Sequence, residues 1–164
     1  MDLKRICRAR EILTGLTPLT SDCGALCGAA CCAADEDEQG GVFLFPGEAE
    51  LIGDVQWARI EPADALGGCL MLTCDGTCER DKRPLGCRIF PLTPVPLKSG
   101  GWGVRIDRRA HAMCPLAASG TKGLRPEFVD AVRAAMNEIA GDAEGDQFLR
   151  AWAKLERQYG EFAL

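Results

Sequence analysis

A chain of 164 residues is long enough to bury one ordinary hydrophobic core, so its length gives no reason for disulfide staples. A formal charge of -5 argues against a nucleic-acid binder, whose electrostatic footprint is basic, and no stretch approaches the roughly 20 apolar residues of a membrane span. With ten cysteines and His111 as the single histidine, a site of several imidazoles is excluded, and sulfur ligation favours zinc or iron-sulfur over magnesium, calcium or a two-histidine iron centre.

In residues 2–14, Leu3, Ile6, Cys7, Ala9, Ile12 and Leu13 stand near helical spacing with Lys and Arg between them. This predicts an amphipathic first helix ending near Gly15, with Cys7 as a small buried hydrophobe on its apolar side. The segment lacks a continuous apolar run and a small-residue cleavage site, so it is not expected to be a signal peptide. The expected compartment is the cytosol, where clustered cysteines more often bind metal or do redox chemistry than form structural disulfides.

Pro18 and Ser21-Asp22 lead into a first cysteine group, Cys23, Cys27, Cys31 and Cys32. Gly24 and Gly28 each follow a cysteine there and free the backbone to turn its amides toward sulfur. Residues 35–41 are an acidic polar run read as a solvated loop. Residues 42–45 form a short apolar strand stopped by Pro46-Gly47, residues 48–53 one or two helical turns, and residues 55–60 a strand with Trp57 on one face. A further strand, 69–72, enters the densest stretch of the chain.

That stretch, residues 69–91, holds Cys69, Cys74, Cys78 and Cys87, with Asp75-Gly76 as a turn between two of them. Residues 88–97 read as extended, and their prolines restrict them to an edge strand or a polyproline-like segment. Ser99-Gly100-Gly101 turns the chain into a return strand, 102–108, so that a hairpin carries Cys114 back toward the other cysteines. Helices are predicted from Pro126 to Ala140 and from about Glu144 to Tyr159, separated by Gly141-Asp142. With no linker long enough to divide it, the chain reads as one α+β domain. A loop-rich cysteine region, about 23–114, with short strands around a metal site is backed by an N-terminal helix and a C-terminal helical pair, about 126–159.

Thiolate is the ligand form, four of them closing a zinc tetrahedron or holding the corners of an iron-sulfur cluster. Neighbouring Cys31 and Cys32 point in different directions, which suits a cluster, two sites, or one ligand beside one packing cysteine. Three local patterns resemble the YkgJ-type cysteine-cluster family, described as a zinc- or iron-chelating domain with a CxxCxxCC signature. They are the Cys23, Cys27, Cys31-Cys32 group; Cys69 with Leu72 and Cys78; and Arg83-Pro84-Leu85-Gly86-Cys87-Arg88-Ile89-Phe90-Pro91, which looks like the family's RPxxCRxFP.

The resemblance implies a metal set of eight, Cys23, Cys27, Cys31, Cys32, Cys69, Cys78, Cys87 and Cys114, with Cys74 left over. The first group spaces its cysteines by three residues where the family usually has two. Arg83 and Arg88 are expected to bind beside the cofactor, guanidinium donors offsetting the negative charge of a four-thiolate site. The leading expectation is a cytoplasmic metal-binding protein, structural, redox or metal-handling in role. A cluster-dependent redox or group-transfer enzyme, or an accessory to a methylase, and a zinc-shaped protein-interaction module are the alternatives. No catalytic residue is identified; a metal ion or cluster and a protein are the expected partners, without nucleic acid or membrane.

Overall fold

Asp2 caps the first helix, its carboxylate accepting from the Lys4 amide at 3.0 Å, and α1 runs Leu3–Ile12 with Ile6 and Ala9 fully buried. A computed structural model describes residues 1–32, 41–74, 76 and 78–161. After α1 come α2 (Gly24–Cys27), a 3-10 turn at Ala30–Cys32, β1 (Val42–Leu44), α3 (Glu48–Ile52), β2 (Ala58–Ala63), β3 (Cys69–Cys74) and α4 (Leu85–Ile89). The chain continues through β4 (Leu92–Pro96), β5 (Trp102–Ile106), α5 (Ala110–Met113), a kinked 3-10 segment at Pro115–Gly123, α6 (Pro126–Ala140) and α7 (Ala143–Glu161). The class is α+β, as the residue pattern predicts. The acidic run at 35–41 falls outside the described residues except for Gly41, and Asp75 of the expected turn does too.

The main core forms where the amphipathic faces of α1, α6 and α7 meet α4 and the β4–β5 hairpin. Ile6, Leu85, Ile89, Phe128, Val132, Met136, Ile139 and Leu149 are fully buried in it, each such side chain contributing about 2 kcal/mol of transfer free energy. Phe45, Phe148 and Trp152 pack ring against ring, with centroids 4.9–5.9 Å apart. The hairpin is fastened to this core by polar contacts as well. The Trp102 amide donates to Asn137 at 3.0 Å and its indole to Asp146 at 2.9 Å, while Asn137 returns a bond to the Trp102 carbonyl at 2.8 Å.

Beside this core lies a three-stranded antiparallel sheet in the order β1-β3-β2. Ala63 stands opposite Cys69, and Ala58 opposite Cys74. Leu66, Gly67 and Gly68 all have positive φ, which lets a short loop reverse the chain between β2 and β3. That reversal sets the register and places β2 at Ala58–Ala63, three residues beyond the expected 55–60. Trp57 therefore precedes the strand, partly buried against a second small core of Leu44, Ile52 and Leu72.

A second correction concerns residues 88–97. Their first two residues are helical, because α4 starts directly after Pro84, whose ψ of 150° is non-helical, and ends at Ile89, before Phe90 with its extended ψ of 137°. Proline disfavours helix in the residue before it, so Pro91 stops this helical turn. From Leu92 the expectation holds: β4 and β5 form a two-stranded sheet in which both are edge strands. No described helix is long and apolar enough to cross a membrane.

Candidate metal centre

All ten cysteines are free thiols. Four chain segments bring most of them together. In the first, α2 ends at Gly28 with φ 63°, and Ala29 adopts φ 57°, so two successive left-handed residues fold the chain back between Cys27 and Cys31. Gly28 thus does what the sequence predicts, while Gly24 sits within the helix at an ordinary φ and Ala29 takes the second turning position at some steric cost. Next, α5 packs beside the 3-10 turn Ala30–Cys32 and delivers Cys114 to the same place. Cys23, Cys27, Cys31, Cys87 and Cys114 all line one cavity of about 450 Å³.

The third segment is the end of β3 at Cys74, with Gly76 beyond it. A methyl group on Gly76 would lie 3.1 Å from the Cys32 carbonyl, so Gly76 rests directly on the first cysteine group. The fourth is α4 with its approach. Gly86 is required there by close packing, since a Cβ would stand 2.4 Å from Val42 Cγ2 and 3.4 Å from the Trp152 ring. Buried Glu48 holds the start of this helix: it accepts from the Leu85 amide at 2.6 Å, from the Phe45 amide at 3.1 Å and from Arg10 at 3.3 Å. Burial pushes the Glu48 carboxyl above its ordinary value, and the two amides and Arg10 oppose that.

Electrostatic interactions sort the thiols into two groups. Cys23 interacts with Cys27 and Cys114, and Cys31 with Cys23 and Cys27. Cys87 interacts with Cys32, Cys74 and Cys78. The groups touch at the adjacent pair, where Cys31 and Cys32 share a hydrogen bond that raises the Cys31 thiol and, with Arg83, lowers Cys32 to about 6. Burial, followed by the neighbouring sulfurs, pushes Cys87 up to about 12. Burial first, and nearby charges and sulfurs second, disfavour the thiolates of Cys23 and Cys87, a poor arrangement for free thiols and one that a cation shared among several thiolates would relieve.

Arg83 donates its Nε to Cys78 Sγ at 3.4 Å. Burial opposes the charge on Arg83, but Cys78, Cys32 and Cys87 outweigh it and raise the guanidinium pKa. Its expected place beside the sulfurs is therefore observed. Arg88 behaves differently: Nε donates to the Arg83 carbonyl at 2.8 Å, and one terminal nitrogen to the carbonyls of Arg80 and Asp81 at 3.1 and 2.7 Å. It braces the loop that carries Arg83 and donates to no sulfur among the described residues.

Cys69 is not brought to the other thiols. It packs, partly buried, against the main core, and burial raises its pKa with no other cysteine contributing. Cys74 packs instead with Leu72 on the second core. Side chains alternate along a strand, so residues 69 and 74 occupy opposite faces of β3, and the parity of their spacing is a signal available from sequence. Cys7 is only partly buried on α1 and lines no part of the cavity. Sequence reasoning also missed Glu48 and Arg10, whose role depends on partners 37 and 38 residues distant.

Among the described residues, no three His, Cys, Asp or Glu side chains already stand in chelating positions around one point. The donor chemistry fits a thiophilic cation, with a guanidinium at hand for the excess negative charge. Comparison with protein-family models, with curated proteins and with solved structures gives no match.

Proposed function

We propose that this chain is a metal-binding protein in which Cys23, Cys27, Cys31 and Cys114 form one ligand set and Cys32, Cys74, Cys78 and Cys87 a second. Each set has the four thiolates that a zinc ion or an iron-sulfur cluster takes. Arg83 offsets charge at the second set, and Cys69 is a packing residue. What supports the reading is the nearness of eight thiols from four segments, five of them lining one cavity, with Arg83 hydrogen-bonded to Cys78 Sγ. Metal binding would draw these loops inward, since metal affinity and local folding are coupled. The resemblance of residues 23–114 to the YkgJ-type family supports the same conclusion, with Cys74 standing in for Cys69. The reading carries with it a cytosolic compartment, where thiols remain available as ligands.

A role beyond structure is favoured by one observation, the cavity of about 450 Å³ bordered by five of the thiols. A bound cluster or zinc there would supply redox or Lewis-acid chemistry, and the chain would supply the cavity walls and Arg83. Anaerobic purification followed by elemental analysis and an absorption spectrum tests the reading. A brown protein identifies iron-sulfur, and a colourless protein with stoichiometric zinc identifies zinc. Cys87→Ser should lose bound metal and stability, and Cys7→Ser should keep both. Equal metal in wild type and the two variants would overturn the ligand assignment.

A further inference from the structure

The cavity beside the thiols has a wall composition that metal binding alone does not require. Its volume of about 450 Å³ lies within the range of small-molecule sites, about 300–1,000 Å³. Leu13, Leu16, Phe90, Pro91 and Leu116 give it broad apolar surface, and Arg10, Arg80, Arg83 and Arg88 line it as well. Three carboxylates reach the wall. Asp22 is occupied by the Gly24 amide and Arg80, and Glu11 and Asp81 are exposed to water.

The arginines differ in what they have left to donate. Arg10 is committed to buried Glu48 and to the Asp81 carbonyl. Arg83 uses only Nε, so both its terminal nitrogens lack a hydrogen-bond partner among the described residues. Arg88 uses Nε and one terminal nitrogen, leaving the other without a hydrogen-bond partner among the described residues. Both side chains are half-buried, and Arg88 feels the like charges of Arg10 and Arg83. Unused guanidinium donors in a partly dry, apolar cavity match the planar acceptor geometry of a carboxylate.

We propose that this cavity binds a small organic acid, its carboxylate held by Arg83 and Arg88 and its apolar body lying against Leu13, Leu16, Phe90 and Leu116. The inference deepens the metal reading by naming the class of molecule taken beside the thiolates; capture itself needs only the arginines and the apolar wall. A monoanion is the fitting charge, because Glu11, Asp22 and Asp81 already offset part of the positive wall.

Isothermal titration of the full chain with octanoate and with octanol, with metal measured on the same samples, tests this. Octanoate should bind once per chain, and octanol at least about tenfold more weakly, the loss expected when a hydrogen bond to a charged group goes unmade. Thr14→Trp places bulk on the cavity wall without altering a cysteine or an arginine, and should weaken octanoate at least about tenfold at unchanged metal content. Arg83→Gln should weaken octanoate and leave octanol as it was; circular dichroism establishes its folding, and Thr14→Trp decides the matter should that variant not fold. Octanoate binding to a protein that holds no metal would uphold this inference and remove the metal reading. A metal-loaded protein that ignores octanoate, binds octanol equally, or is unaffected by Thr14→Trp would overturn the inference and leave the metal reading in place.

Discussion

The two halves of this molecule are stabilised by different means. Where α1, α6, α7 and the β4–β5 hairpin meet, closely packed apolar side chains do most of the work, and polar contacts such as Trp102 with Asn137 and Asp146 add register. The cysteine region has short helices, 3-10 turns and loops, and is positioned by a few specific braces: Glu48 under α4, Arg88 behind the Arg83 loop, Gly86 against Val42. From this contrast, disturbing the packed half should leave the thiol region unchanged in molecules that remain folded. In the cysteine region, loss of one polar brace should alter both stability and ligand geometry.

Trp152→Ala tests the packed half and should have the largest effect. Trp152 is 4% exposed and touches both Phe45 and Phe148, so truncation should cost about 4 kcal/mol. Denaturant titration should show that loss while metal per folded molecule stays constant. Glu48→Ala tests the braces. It leaves the Leu85 and Phe45 amides and Arg10 without their shared acceptor, at a cost of about 3 kcal/mol, and metal content should fall with stability. Metal retained at the wild-type level in folded Glu48→Ala would dissolve the distinction between the two halves.

A smaller effect is expected at Glu156 on α7, which is 2% exposed and faces Arg105 and Arg109 at 3.8 and 3.6 Å. Burial, then the neighbouring charge of Asp107, raises its carboxyl above the ordinary value, with Arg109 opposing. A carboxyl with a raised pKa binds its proton more tightly when folded, so this group's contribution to stability is present below the unfolded pKa. It is lost as pH rises through the folded one. Melting curves across that window should show a decline for wild type that flattens in Glu156→Gln, and parallel curves would contradict the assignment.

The packed half was the more legible in sequence because its signals are local. Pro126 and Gly141 bracket α6, and the 3.6-residue spacing of Phe128, Val132, Met136 and Ile139 is the same information the folded helix uses. Gly100-Gly101 likewise announced the β4–β5 hairpin. The thiol-rich region was legible in its residue types more than in its grouping. The cysteines and Arg83 are plain in the sequence, yet Cys69 and Cys74 look interchangeable until the alternation of β3 separates them. Glu48 resembles an ordinary acidic residue in a first helical turn, and only partners far away in the chain reveal it as a buried acceptor. The helix at Leu85–Ile89 was hidden by a cluster of prolines that suggests extended backbone.

The most direct test of the account compares Cys74→Ser with Cys69→Ser after anaerobic purification, reading metal per chain by elemental analysis. Two four-thiolate sets that include Cys74 predict a loss of about half the metal in Cys74→Ser, following from one ligand set in two, and wild-type content in Cys69→Ser. The reverse pattern, or full metal content in both, would contradict the grouping of thiols on which the account rests.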